Sequence, residues 1–304
     1  MTEYAEVFEK FGLAAAESIY PYAPVFRGLV AGRDAVVKRT HSAEAMGRWV
    51  RHLDATGFPV VTPLAGPHRI GEHDWVAYPW IEGRLYDGSA ADLADAGRLL
   101  GRMHADLDSD AGLARFDWPD HDAASVEEDV TGLDRTLAAH LPQARGELMG
   151  RFTPLIEGFM TTTLPAVRDA ELPAADVSVD FKAVNLVYTA DGPVLVDPDN
   201  GERIPRLLDL ALAVLFFHND LPAGPGRLFD DVEWRLFRDA YLGCVQLTGT
   251  ERELWPTALL YMVLEWGVWA VINGGEAGDW ELPRQRALFT DLLTFDVNRF
   301  PLTS

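Results

Sequence analysis

The period of the apolar residues changes near residue 83, and that change limits the chain to a few architectures. Before it, β-prone runs dominate. Val25–Val30 and Ala35–Thr40 flank the turn Ala31-Gly32-Arg33-Asp34, which predicts a hairpin. Trp75–Ile81 predicts a further strand, ending at Glu82-Gly83. Two helices interrupt this part. One lies within residues 1–20 on Tyr4, Val7, Phe8, Phe11 and Leu13; the other runs from Ala43 to Ala55, after Ser42 and before Gly57. Beyond residue 83 the helical period takes over. Leu93, Ala96, Leu99, Leu100, Met103 and Leu107 form one stripe, and helical patterns return over 144–163, 206–218, 228–247, 255–272 and 283–298. Three short strands interrupt them, over 177–180, 186–188 and 193–196. Segregated strands and helices in this order predict an α+β chain of two lobes: a β-rich lobe over residues 1–82 and a larger helical lobe over 83–304, with a cleft between them.

Composition narrows the function. The chain of 304 residues carries 26 basic and 47 acidic residues, a net charge of −21. That balance opposes nucleic acid and anionic membranes as general partners; it favours cationic ligands or serves only solubility, the commoner reading. The single cysteine, Cys244, rules out an intrachain disulfide. The longest apolar runs, Leu210–Phe217 and Ala258–Ile272 with Glu265 inside it, fall short of an uninterrupted spanning segment of about 20 residues. The first residues are acidic rather than basic, unlike a targeting segment, so the expected location is the cytoplasm. Only three lysines occur, Lys10, Lys38 and Lys182; every other basic residue is arginine. A lysine kept against such a bias is a candidate for chemistry that needs a compact point charge, such as contact with a phosphate oxygen.

Two of those lysines fall beside the most informative stretch or on an early strand. Val177-Ser178-Val179-Asp180-Phe181-Lys182-Ala183-Val184-Asn185 precedes a strand, and Asp197-Pro198-Asp199 ends the next one. If the two strands pair, Asn185 and Asp197 meet at one edge. Their oxygens are hard ligands, suited to Mg²⁺ held between protein and phosphates. Asp180, on the loop before them, is placed to accept a proton from an attacking hydroxyl.

This pattern resembles the catalytic loop of the aminoglycoside phosphotransferase and choline kinase family, which shares its fold with protein kinases. The resemblance implies a two-lobed protein-kinase-like fold, with Asp180 as catalytic Asp, Asn185 and Asp197 as metal ligands, and Lys182 at the position of the catalytic-loop lysine of protein kinases. Ser178 stands where the family has His, Val179 where it has Gly, and Asp197-Pro198-Asp199 where protein kinases have Asp-Phe-Gly. Ala35-Val36-Val37-Lys38 is similar to the strand that supplies the phosphate-binding lysine. By the same resemblance Glu44, in the next helix, pairs with Lys38, and Tyr78, Trp80 and Ile81 belong to the linker whose backbone holds the adenine. Leu99–Ala105 and Leu208-Asp209-Leu210-Ala211 match two helices of the family, with His104 and Asp209 expected in structural roles. Gly28 and Gly32 do not form a G-x-G-x-x-G loop.

The activity so implied is transfer of a phosphoryl group from ATP or GTP, with Mg²⁺, to a hydroxyl of a small acceptor. The helical lobe is rich in acids and tryptophans, and Glu265-Trp266 with Trp269 on one helix predicts a carboxylate beside a flat apolar wall. Such a wall suits a cationic, ring-containing acceptor such as an amino-bearing antibiotic. A metabolic kinase for choline, an amino sugar or homoserine is the alternative. A protein kinase is disfavoured because no activation segment follows Asp197, and a non-enzymatic binding protein is disfavoured by the intact Asp180, Asn185 and Asp197.

Overall fold

In a computed structural model, residues 4–19, 23–109 and 111–303 are described, apart from the side chains of Glu276 and Ala277. The N-terminal part is a five-stranded antiparallel sheet: β1 (Ala14–Ser18), β2 (Val25–Val30), β3 (Arg33–Arg39), β4 (Ala65–Ile70) and β5 (His73–Pro79), in the spatial order β1-β2-β3-β5-β4. Helix α1 (Ala5–Phe11) covers one face, burying Val7 and Phe11 against Phe26, Val37 and Trp75. The expected helix over the first 20 residues is thus only its first half. Gly12 ends it in the left-handed conformation (φ 58°), and Ala14–Ser18 becomes an edge strand on β2. Pairing along an open edge here overrides the helix preference of three consecutive alanines.

Helix α2 (Ala43–Ala55) follows β3. Its inward residues Met46, Trp49, Val50 and Leu53 join the large apolar cluster of the C-terminal part rather than the small cluster under the sheet. Trp49 reaches Gly201, where an added Cβ would come within 2.9 Å of the indole ring. This close approach ties α2 to the loop that carries Asp197 and Asp199.

The rest is helical around two strand pairs. Its elements are α3 (Ala90–Ala105), α4 (Ala123–His140), α5 (Arg145–Glu157), α6 (Leu164–Arg168), β6 (Ala174–Val177), β7 (Leu186–Thr189), β8 (Gly192–Leu195), β9 (Glu202–Pro205), α7 (Arg206–Phe216), α8 (Asp231–Leu242), α9 (Gly249–Met262), α10 (Val268–Ala277) and α11 (Pro283–Thr294). β6 pairs with β9, and β7 with β8, both antiparallel. Single π-turns join α5 to α6 and α9 to α10. The continuous helical run Gly249–Gly275 is long and apolar enough to cross a membrane by length and composition. That departs from the expectation drawn from uninterrupted apolar runs; in this fold Trp255, Ala258, Leu259, Tyr261 and Met262 of α9 are buried in the main core.

One close helix packing and two buried polar contacts hold the helical core together. α3 and α8 pack closely because Gly97 and Gly101 face the Phe237 and Tyr241 carbonyls; a Cβ on Gly101 would lie 2.7 Å from the latter. His104 is fully buried, with Nε2 2.9 Å from Asp209 Oδ2 and Nδ1 3.0 Å from the Tyr241 hydroxyl. Arg206 donates to both oxygens of the fully buried Glu251 at 2.7 and 2.9 Å, and also to the His104 and Gln246 carbonyls. Burial alone would raise the Glu251 carboxyl, but its bonds from Arg206 outweigh that and hold it below its ordinary value. The pair therefore contributes stability that is present above the pKa of an unfolded glutamate and is lost as pH falls through the lowered folded value. Arg206→Met leaves a buried carboxylate unpaired and should cost about 3–5 kcal/mol at pH 7. Urea unfolding at pH 7 and pH 5 checks this: the deficit should shrink at pH 5, because the unpaired carboxyl of the variant takes up a proton.

Candidate active site

The segment 178–185 crosses between β6 and β7, and its polar groups converge. Asn185 Nδ2 donates to the Asp180 backbone carbonyl at 2.9 Å and to Asp180 Oδ2 at 2.8 Å. Its side-chain oxygen Oδ1 accepts no hydrogen bond among the described residues. Lys182 Nζ lies 3.2 Å from Asp180 Oδ1 and 2.9 Å from Asp220 Oδ2. Burial pushes the Asp180 carboxyl up, Lys182 pulls it down and Asp197 adds to the rise; the balance is upward. Burial would lower the Lys182 ammonium, but Asp180 and Asp220 outweigh it and keep it charged.

Val179 explains why a glycine suits this loop. Its φ is 54°, in the left-handed region that a β-branched residue rarely adopts. Holding it there costs of the order of 1–3 kcal/mol. The Ala183 N–H bond to the Phe217 carbonyl at 2.8 Å anchors the loop on the end of α7. Ser178 is fully buried, and its Oγ lies 3.5 Å from the Asp180 amide.

The β7–β8 hairpin brings the second group of residues to the first. Leu186 pairs with Leu195, and the Val196 amide donates to the Asn185 carbonyl at 3.0 Å, so Asn185 and Asp197 share one edge. The Asp197 side chain stays 43% exposed. One amide oxygen and one accessible carboxylate fit a hard cation such as Mg²⁺ that takes its remaining ligands from phosphate and water.

Lys38 reaches this edge from β3. Its Nζ lies 2.6 Å from Asp197 Oδ1 and 3.0 Å from Asp199 Oδ2. Burial opposes its charge, but the two carboxylates outweigh that and raise its pKa. The same lysine draws the Asp197 carboxyl down against the effect of burial. The expected Lys38–Glu44 pair is not formed. Glu44 is exposed on the outer side of α2, in its first turn, while the inward positions of that helix are apolar. Asp199, two residues further on from Asp197, is surrounded by Lys38, Thr40 and Tyr78.

The linker residues divide. Tyr78 is buried in β5 opposite Val36, and its hydroxyl donates to Asp199 Oδ1 at 3.0 Å. The Trp80 N–H is taken by the Asp34 carbonyl at 3.1 Å, and its ring lies under the Arg27 guanidinium at 3.9 Å. The Ile81 N–H makes no backbone hydrogen bond among the described residues.

A cavity of about 330 Å³ opens beside Asp180 and Lys182. Its far walls come from Trp266, Trp269, Asp220, Asp279 and Gln285. Trp269 is 60% exposed. Gln285 Nε2 donates to Asn219 Oδ1 at 2.6 Å, steadying the loop after α7 on which Asp220 sits. Burial and the charge of Asp220 both raise the Asp279 carboxyl. The tryptophan wall agrees with expectation; the carboxylate beside it does not. Glu265 is turned to His121, 2.8 Å away, and does not line the cavity. Asp220 and Asp279 take that position, and nothing in their local sequence marked them.

These geometries belong to a phosphotransferase acting on hydroxyl groups. The sequence matches a phosphotransferase enzyme family, abbreviated APH, over residues 23–242, and the chain belongs to that family. No curated protein sequence matches it. Solved structures share its fold at low identity. Amicoumacin kinase hAmiN, in complex with AMP-PNP, Ca²⁺ and Ami, is 15% identical over 98% of this chain and 94% of its own, with a TM-score of 0.62. Spectinomycin phosphotransferase, in complex with ADP and spectinomycin, is 14% identical over 97% of this chain and 94% of its own, with a TM-score of 0.59. Choline kinase LicA from Streptococcus pneumoniae is 13% identical over 97% of this chain and all of its own, with a TM-score of 0.56.

Proposed function

We propose that this phosphotransferase uses ATP and Mg²⁺ to phosphorylate a hydroxyl of a small, amino-bearing molecule of the antibiotic type. The observation that carries the reading is the junction of two sites at Asp180. On one side lie Lys38, Asn185 and Asp197; on the other is a cavity walled by tryptophan and carboxylates. The co-crystallised ligands of amicoumacin kinase and spectinomycin phosphotransferase, both structurally similar to this chain, support it.

Each residue then has a part. Asn185 and Asp197 would hold the metal, which when bound neutralises phosphate charge. Lys38 binds the nucleotide phosphates. Lys182, already beside Asp180, offsets the charge that spreads over the transferring phosphoryl oxygens. Asp180 orients the acceptor hydroxyl and takes its proton. The Ile81 N–H with the neighbouring linker backbone holds the base. Asp220, Asp279 and the Trp269 face hold the acceptor's ammonium group, since an aromatic face attracts a cation. The last feature also suits a quaternary amine of the kind a choline kinase uses, which keeps a metabolic acceptor as the second reading.

Two measurements test this. ADP release is followed with Mg²⁺-ATP over a panel of hydroxyl-bearing antibiotics, amino sugars, amino alcohols and choline. Turnover is expected on an amino-bearing antibiotic and should fall by about two to four orders of magnitude in Asp180→Ala, with nucleotide binding retained. Turnover on choline or an amino alcohol alone would move the assignment to the metabolic reading, and no turnover in the wild type on any compound would contradict the proposal. For the acceptor that works, Trp269→Ala and Asp279→Asn should each raise the acceptor KM about tenfold while leaving the KM for ATP within twofold.

A further inference from the structure

Glu44 does not serve Lys38, so another group must hold that ammonium in place. We propose that Asp199 is the positioning residue for Lys38, doing from the C-terminal loop what a helix glutamate was expected to do. The inference rests on the kinase reading above and extends it to a residue with no assigned role.

The geometry is specific. Both Asp199 oxygens are occupied; two donors come from the sheet and the third, Thr40, from the residue just after β3. Oδ1 accepts from the Tyr78 hydroxyl at 3.0 Å; Oδ2 accepts from Thr40 Oγ1 at 2.7 Å and lies 3.0 Å from Lys38 Nζ. The Asp199 side chain is only 10% exposed, against 43% for Asp197. A carboxylate so enclosed is a fixed counter-ion, whereas the more open one can exchange Lys38 for another ligand. Thr40 and Tyr78 then act as clamps that fix Asp199.

The packing of α2 shows why the role fell to the loop. Its inward positions are Met46 and Trp49, seated on Gly201, and Val50, so that face offers the lysine no acid. The loop it presses on carries Asp199 two residues from Gly201. The same contact that excludes a helix glutamate therefore holds the replacing carboxylate.

The test is direct ADP binding by calorimetry in EDTA, then with Mg²⁺, for the full chain and for Asp199→Asn, Thr40→Val and Tyr78→Phe, with unfolding midpoints measured alongside. Loss of a charged hydrogen-bond partner should weaken metal-free ADP binding about tenfold in Asp199→Asn and about three- to fivefold in each clamp variant, without a matching fall in unfolding midpoint. Thr40→Val combined with Asp199→Asn should add little, because both act through one contact. Tighter ADP binding in Asp199→Asn, the result that simple removal of a negative charge gives, would overturn the inference. So would unchanged binding in both clamp variants, or an Asp199→Asn defect confined to the Mg²⁺ titration, which would make Asp199 a metal ligand. If Asp199→Asn does not fold, the clamp variants decide alone. A wild type that binds no ADP under either condition would overturn the kinase reading and this inference together.

Discussion

The contact on which the rest of the structure depends is the one between Lys38 and the two aspartates of the loop after β8. It joins the sheet to the helical part through a nearly buried ammonium. A buried charge is tolerated only where opposite charge and hydrogen bonds compensate it. Several features of the fold supply that compensation. The β7–β8 hairpin carries Asp197 to the edge; Thr40 and Tyr78 hold Asp199; and Trp49 on Gly201 keeps the loop pressed inward. The hairpin is itself tied to the N-terminal part, with the Leu195 amide donating to the Pro59 carbonyl, and to the segment just after it, with the Tyr188 amide donating to the Arg84 carbonyl.

Two residues on this frame face opposite directions with related purposes. Lys38 meets Asp197 and Asp199, and Lys182 meets Asp180 and Asp220 beside the cavity. In a chain with a net charge of −21 and three lysines, both lysines of the site sit between pairs of acids. Each acid pair fixes the position of its ammonium. The strained Val179 belongs to the same design, because the sharp turn it makes lets Asp180 face the cavity while its carbonyl reaches Asn185.

Much of this was legible in the sequence because it depends on local spacing. The Asp180–Asn185 interval, the hairpin turn before Asp197 and the strand holding Lys38 are short-range patterns, and the hairpin brings Asn185 and Asp197 together as their spacing predicts. The parts that were not legible depend on contacts distant in sequence. Strand β1 forms only because β2 offers an edge, and β9 only because β6 does. Glu44 was the sole acid available by spacing, yet its helix turns an apolar face inward. Asp220 and Asp279 look like ordinary loop acids, and only the packing of α7, α10 and α11 brings them to one cavity.

The most direct test of this account is a crystal structure with Mg²⁺ and a non-hydrolysable ATP analogue. The account predicts phosphates between Lys38 and the Asn185–Asp197 edge, Lys38 released from Asp197 but still paired with Asp199, and the terminal phosphoryl group facing Asp180 at the mouth of the tryptophan-walled cavity. An analogue bound elsewhere, or phosphates in place with Lys38 still on Asp197 and parted from Asp199, would contradict it.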